Sequence, residues 1–498
     1  MSGEEEKAET TFHDAQRLMS AGRFEEARAL LQPPLEQTPD SVDALYMSAV
    51  CERYLKRPDK AAALLKTLKT VSPDFGRAFQ EEGHLARDAG KRDQALSAYA
   101  QAVRANPGLE ASWRGQEQIL RAMGRDAEAA QAKVQAERLA ALPRELLAAT
   151  NFLHEGKLLK AENLCRRFLQ NNPKHVEGMR LLADVGARMG ALDDADFLLE
   201  SAIAFEPDNI QLRLDYIQLL RKRQKFEAAL EQAKALYYRD PENPLFQSHY
   251  AIESLQTGDF EKALALFDKV LETLPNDPAT LTSRGHALKT WGRRDDAIRS
   301  YRAAFAAKPD QGDAYYGLAN LKTYKFTDDE VAAMRAEEAR SDISYQDRYH
   351  LCFALGKAFE DRDDIETAFA YYARGNELKR LKNAYRTEDM DKEFRAQMEV
   401  CTRELFKART GAGFDAIDPI FIVGLPRAGS TLLEQILASH SQVDGTLELP
   451  NILSLSQSLR GRRRVAGASA YPKVLEELPM EKFAEMGKAY IEETRIHR

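Results

Sequence analysis

The sequence predicts an all-α solenoid of stacked helical hairpins that runs into the start of an α/β domain. Three observations carry this. Alanines recur at 27, 61, 95, 129, 161, 195, 229, 263 and 297, every step being 34 residues except one of 32. Most of them have a glycine five residues before and a proline twelve residues after. Past Asp418 the helical period gives way to a short apolar run and a glycine-bounded loop.

The hairpin comes first along the chain. Six units hold the full triplet: Gly22, Ala27, Pro39; Gly90, Ala95, Pro107; Gly156, Ala161, Pro173; Gly190, Ala195, Pro207; Gly258, Ala263, Pro275; and Gly292, Ala297, Pro309. Two more keep alanine and proline but put Lys56 or Gln224 where glycine stands elsewhere. In another, Gly124 and Ala129 are followed by Ala141 at the proline position, with Pro143 two residues on. The glycine suits a left-handed turn after the first helix, where the lack of a Cβ removes the steric cost. The alanine, early in the second helix, lets two helices approach closely. The proline cannot continue that helix and ends it. Between these markers apolar residues recur at helical spacing, as in Ala263, Leu264, Leu266, Phe267, Val270 and Leu271.

One hairpin cannot bury its own apolar face, whereas a stack of them can. The pattern resembles the tetratricopeptide-repeat (TPR) family over residues 9–310, about nine repeats, with a degenerate later unit around Asp363 and Ala368. The resemblance implies a concave groove that binds a protein, peptide or glycan acceptor. A purely architectural spacer is the plainer alternative. Residues 311–410 read as that degenerate repeat and a helical linker, with a helix capped after Thr327. The polar stretch TGAGFDAID marks the boundary before a third region, 418–498.

There the run Pro419-Ile420-Phe421-Ile422-Val423 reads as a buried parallel strand. Gly424-Leu425-Pro426-Arg427-Ala428-Gly429-Ser430-Thr431 comes next, and then a helical pattern from Leu432 to Ala438. Strand, glycine-bounded loop and helix N-terminus together make a phosphate cradle, because backbone N–H groups and the helix dipole converge on one anion. The G-x-x-x-x-G spacing matches a P-loop, but Ser430 stands where a nucleotide triphosphatase needs lysine. The cation lies inside the loop instead, at Arg427.

Pro426 to Leu432, PRAGSTL, resembles the loop with which sulfotransferases hold 3′-phosphoadenosine-5′-phosphosulfate (PAPS), typically P-R-S-G-[ST]-T-L. Ala438-Ser439-His440-Ser441-Gln442-Val443, then Gly445 and Glu448, resembles the stretch after that loop in tyrosylprotein sulfotransferases and in bacterial proteins that join TPRs to a sulfotransferase domain. The linker stretches LANLKTYKF and FALGKAFEDR are similar to theirs too. The resemblance implies PAPS as co-substrate, bound through Arg427, Ala428, Gly429, Ser430 and Thr431. It gives Arg427 and Glu448 the catalytic roles: one stabilises the leaving phosphate, the other takes the acceptor hydroxyl's proton. No metal is required, since the phosphate is not a triphosphate tail. Ala428 departs from the family's serine and costs the loop one hydroxyl.

Each residue also has a plainer use. Ser430 can cap its helix, Glu448 can be a loop carboxylate, and His440 suits a helix C-terminus. Arg460, Arg462, Arg463 and Arg464 read as a solvated loop that could attract an acidic acceptor. A non-catalytic scaffold with an incomplete nucleotide loop is the competing reading of the whole, and a kinase-like P-loop enzyme a third.

Composition bounds the rest. The chain has 498 residues, 44% hydrophobic and 30% charged, which suits long solvated helices rather than one compact core. A net charge of −7 argues against nucleic acid as partner. No segment is long and apolar enough to span a membrane, and the acidic start MSGEEEKAET is unlike a signal peptide, so a cytoplasmic protein is expected. Four scattered cysteines (Cys51, Cys165, Cys352, Cys401) show no metal spacing and are expected to be buried thiols. A sulfotransferase domain needs roughly 200–250 residues, and about 80 lie beyond the start of the apolar run. The expectation is therefore an incomplete domain: active in the full-length protein, inactive in this chain alone.

Overall fold

The structure, a computed structural model, describes residues 3–340, 342–381, 385–446, 448–449, 451–460 and 470–495. It divides into two compact units, Met1–Pro173 with Arg340–Tyr345, and Lys174–Ala339 with Gln346–Arg498.

The first unit contains five helical hairpins. They are α1 (Gly3–Ser20) with α2 (Phe24–Gln37), α3 (Val42–Tyr54) with α4 (Pro58–Val71), and α5 (Gly76–Asp88) with α6 (Arg92–Ala105). Then come α7 (Glu110–Ala122) with α8 (Asp126–Ala140), and α9 (Arg144–His154) with α10 (Leu158–Asn171).

The second unit continues the scheme: α11 (Val176–Met189) with α12 (Leu192–Phe205), α13 (Ile210–Lys222) with α14 (Phe226–Arg239), and α15 (Pro244–Gln256) with α16 (Phe260–Thr273). After α17 (Pro278–Thr290) and α18 (Arg294–Ala307) come α19 (Gly312–Ala319), α20 (Asp328–Ala339), α21 (Tyr345–Glu360) and α22 (Ile365–Leu381). Shorter or less buried helices complete the unit: α23 (Thr387–Val400), α24 (Arg403–Ala408), α25 (Ser430–Ala438), α26 (Asn451–Ser458), α27 (Val474–Glu477) and α28 (Met480–Thr494).

The turn glycines act as their spacing suggests. Gly22, Gly90, Gly124, Gly156, Gly190, Gly258 and Gly292 take φ between 72° and 85°. At Gly90 the turn closes with Gly90 N–H donating to the Arg87 carbonyl and Lys91 N–H to the Ala86 carbonyl, both at 2.9 Å. No atom lies within 4 Å of where a Cβ would sit on Gly90, so backbone conformation and not crowding selects glycine. Lys56 and Gln224 adopt the same left-handed conformation, at 59° and 65°, despite their side chains.

The period-marking alanines are almost fully buried, from 0% exposed at Ala95 to 2% at Ala129. A second device does not show in the glycine–alanine–proline spacing. The buried Tyr99 ring lies between Gly83 of α5 and Gly115 of α7, and a Cβ on either would come within 2.5 Å of it. Tyr301 lies the same way between Gly285 and Gly317, where a Cβ would come within 2.6 Å. Each tyrosine thus fastens two successive first helices through backbone left bare for it.

The 32-residue step has a structural counterpart. Without a proline at 141, α8 runs to Ala140, one residue longer than α4 or α6, and Pro143 becomes the N-cap residue of α9. The α9 helix packs along α10 but lacks the side-by-side packing on α8 that successive helices make earlier in the unit.

Where the period lapses, Thr327 and Glu330 form a reciprocal cap. Glu330 N–H donates to Thr327 Oγ1 at 3.2 Å and Thr327 N–H donates to Glu330 Oε2 at 2.9 Å. The hairpin of α21 and α22 turns at Asp363 with φ of 58° and buries Ala368.

The expected strand at Pro419–Val423 does not form. The segment is non-helical and pairs in no ladder, and Ile420, Phe421 and Val423 are 60, 58 and 90% exposed. A strand needs a neighbour for its N–H and C=O groups, and no strand occurs among the described residues. Of the α/β start, only the loop and its helix are therefore present. The preceding connector leans on the last helices: a Cβ on Gly487 would sit 2.9 Å from Phe414 Cβ, and the Phe421 and Tyr490 rings lie 5.7 Å apart.

Cys51, Cys165 and Cys352 are buried, and burial pushes their thiols up to about 11, 12 and 12. Cys401 is exposed, contrary to expectation, because α23 and α24 bury none of their residues and provide no core to hide it. Among the described residues no helix is long and apolar enough to cross a membrane.

Candidate functional site

The loop between Gly424 and Thr431 is a tight turn with two left-handed residues, Arg427 at φ 68° and Gly429 at φ 92°. Ala428 N–H donates back to the Leu425 carbonyl at 3.1 Å. A Cβ on Gly424 would sit 3.4 Å from Ala428 Cβ, an ordinary van der Waals contact across the turn. Left-handed backbone on an arginine stores strain of about 1 kcal/mol or more. Such alternation in φ turns successive N–H groups toward one point, the geometry of an anion-binding nest.

Helix α25 starts at Ser430, with Gly429 as its N-cap residue. No side chain caps it, so the capping role expected for Ser430 is not filled. Its first-turn N–H groups remain open, and the helix dipole adds positive potential there. Nothing lies within 4 Å of the Cβ position on Gly429, which leaves the mouth of the cradle clear. Arg427, Ala428, Gly429, Ser430 and Thr431 are all exposed.

Beyond α25 the chain folds back onto it. A Cβ on Gly445 would come within 3.2 Å of both Ala438 Cβ and Glu434 Oε1. Glu448, three residues further on, is exposed. No hydrogen bond or ion pair joins Arg427 and Glu448 among the described residues. His440 Nδ1 accepts from Gln442 N–H at 3.2 Å, which fits a structural role in the turn. Arg460 pairs with Glu393 of α23, and Arg462, Arg463 and Arg464 lie outside the described residues. No cluster of metal-ligating side chains occurs among the described residues.

The helical hairpins hold a second set of polar groups, which the repeat pattern did not single out. In the second unit Tyr301 OH donates to His286 Nδ1 at 2.8 Å, and His286 Nε2 faces Asp313 Oδ2 at 3.4 Å. The hydrogen bond from His286 holds the Asp313 carboxyl below its ordinary range. The Tyr316 and His350 rings stack at 5.0 Å, and burial lowers His350. In the first unit the pair His84 and Tyr99 repeats the arrangement, at 2.7 Å. The signal was present in the sequence: a Gly-His pair with tyrosine fifteen residues after the histidine, at 84 and again at 286.

Residues 419–497 match a sulfotransferase family model, while residues 18–80, 215–278 and 282–321 match tetratricopeptide-repeat models. An uncharacterized protein of Aquifex aeolicus (strain VF5) is 29% identical over 208 residues, 41% of this chain and 27% of its own. The human protein O-mannosyl-transferase TMTC1 is 25% identical over 179 residues, 34% of this chain and 20% of its own. The chain thus spans less than a third of the length of either relative. Yeast Tom70 aligns over 82% of this chain and 99% of its own, at 13% identity and a TM-score of 0.36.

Proposed function

We propose that this chain, which joins tetratricopeptide-repeat segments to a segment matching a sulfotransferase family model, is a TPR-containing sulfotransferase that transfers a sulfuryl group from PAPS to a hydroxyl-bearing acceptor held by the solenoid. The loop at 424–431 carries this reading. Its left-handed Arg427 and Gly429, open helix N-terminus and paired hydroxyls fit a phosphate group, and it lacks the lysine a triphosphate needs.

PAPS would supply the activated sulfuryl group, and its phosphate departs as part of 3′,5′-diphosphoadenosine (PAP). The backbone N–H groups around Gly429 and the Ser430 and Thr431 hydroxyls would hold the 5′-phosphate. Arg427 would stabilise charge growing on the bridging oxygen, a charge-assisted contact of the kind that dominates loose in-line transfers. Glu448 would take the proton from the acceptor hydroxyl as its oxygen bonds to sulfur. The acceptor class is a hydroxyl on a protein, peptide or glycan. A non-catalytic scaffold is the second reading, and the exposed apolar segment at Ile420, Phe421 and Val423 favours it as a contact surface.

Transfer of labelled sulfuryl from PAPS by the natively expressed full-length protein separates the two. The transferase reading expects transfer that PAP inhibits and that Glu448→Gln lowers by about a hundredfold. Absence of PAP-sensitive transfer across protein and glycan acceptors would leave the scaffold.

A further inference from the structure

Within the second unit, α17, α19 and α21 share a face that stays open to solvent. His286 of α17 and Asp313 of α19 have side chains 39 and 41% exposed. Tyr316, three residues after Asp313 and so on the same side of α19, is partly exposed, as are Tyr349 and His350 of α21. Their neighbours Ala314, Tyr315, Leu351 and Cys352 turn inward and are buried.

Asp313 differs from the carboxylates around it. Asp215 has Arg180 at 2.7 Å, Glu253 pairs with Arg221, and Asp347 accepts from Gly312 N–H at 3.0 Å with Lys308 at 3.8 Å. Among the described residues no lysine or arginine pairs with Asp313, whose partner is His286. With the Tyr301 hydroxyl on Nδ1, the His286 proton sits on Nε2, toward Asp313, and that carboxyl stays ionised. Burial holds His350 below its ordinary range, so it is uncharged at neutral pH. The face therefore carries a half-exposed negative charge to which the chain pairs no lysine or arginine.

The rings beside it select the kind of cation that fits. Tyr316 stacks flat on His350, within 5° of parallel. Lys379 of α22 lies over the neighbouring Tyr349 ring at 5.7 Å, whereas among the described residues no cation lies over Tyr316. A guanidinium is planar, so it can stack on such a ring while pairing through its nitrogens with the adjacent carboxylate; an ammonium cannot do both. The first unit offers a comparison built from the same parts. His84 and Tyr99 repeat the His286–Tyr301 bond at 2.7 Å, but Ala111 and Arg114 stand where Asp313 and Tyr316 stand relative to the histidine. The tyrosine–histidine pair alone is thus a packing device, and the carboxylate and ring are additions to it.

We propose that this face is a subsite for an arginine side chain of the polypeptide that the solenoid captures, with Asp313 pairing with the guanidinium and Tyr316, backed by His350, carrying its flat face. The inference rests on the proposed capture of an acceptor by the solenoid, and it narrows that acceptor to a peptide or protein bearing arginine.

The test reads binding alone. Nα-acetyl-arginine amide is titrated into the full chain carrying isotope-labelled histidine, and the ring protons are followed by NMR. The His286 and His350 signals should shift saturably while His84, which has the tyrosine but no carboxylate, stays still. The uncharged isostere Nα-acetyl-citrulline amide should bind at least about tenfold more weakly, and Asp313→Asn should weaken the arginine probe by a similar factor. Tyr316→Leu keeps the carboxylate and should weaken it by roughly three- to fivefold. No saturable shift, equal binding of the two probes, or binding unchanged by Asp313→Asn would overturn the proposal. Sulfuryl transfer and its inhibition by PAP are read in a separate assay, so a failure here leaves the transferase reading untouched.

Discussion

Lys56 and Gln224 stand at turns where seven other units hold glycine, and they take the same left-handed conformation. A side chain there costs roughly 1–2 kcal/mol, which glycine removes while adding some freedom to the unfolded chain. Lys56→Gly and Gln224→Gly should each stabilise the protein by about 1 kcal/mol, read as a higher urea midpoint. His84 gives a prediction of opposite kind. Burial, more than the neighbouring Arg53 and Arg87, pushes it down to about 4 from an ordinary 6.5. The unfolded chain binds this proton first, so stability falls as pH drops from about 6.5 through 4, by up to about 3 kcal/mol. His84→Gln should flatten that part of the stability–pH curve, and an unchanged curve would contradict the assignment. At this scale the sequence spoke clearly about backbone and poorly about rings. A glycine, an alanine and a proline at fixed offsets each report a backbone need, whereas the Tyr99 and Tyr301 seats depend on residues sixteen apart on either side.

Among the elements, the hairpins were legible because each is stabilised mostly by its own two helices and its nearest neighbours. Their fastening is testable. Gly285→Val would drive a side chain into the Tyr301 ring, where even a Cβ comes within 2.6 Å, and should cost roughly 2–3 kcal/mol in denaturant unfolding. Thr327→Ala removes half of the reciprocal cap that starts α20 and should cost about 1 kcal/mol. The segment Pro419–Val423 marks the limit of such reading. Its apolar, glycine-bounded pattern is that of a buried strand, yet a strand is a property of a sheet, and the described residues contain no partner for it. The loop behind it survives because a tight turn and a helix start are satisfied locally, by the Ala428–Leu425 bond and the first turn of α25.

At the scale of the molecule repeats take up most of the chain's length, and the proposed chemistry falls to the few residues between Gly424 and Glu448. The repeat pattern announces the first part many times over. The second rests on one loop, whose residue types named an anion and whose backbone, with Arg427 left-handed and the helix start uncapped, fits the cradle proposed for it. The most direct test of that claim is a calorimetric titration of PAP into this chain and its Arg427→Ala variant, with and without magnesium, and with ATP as comparison. The cradle predicts PAP binding that is independent of magnesium, stronger than ATP, and weakened about tenfold or more by Arg427→Ala. Equal binding by the variant, or a preference for magnesium–ATP, would contradict it.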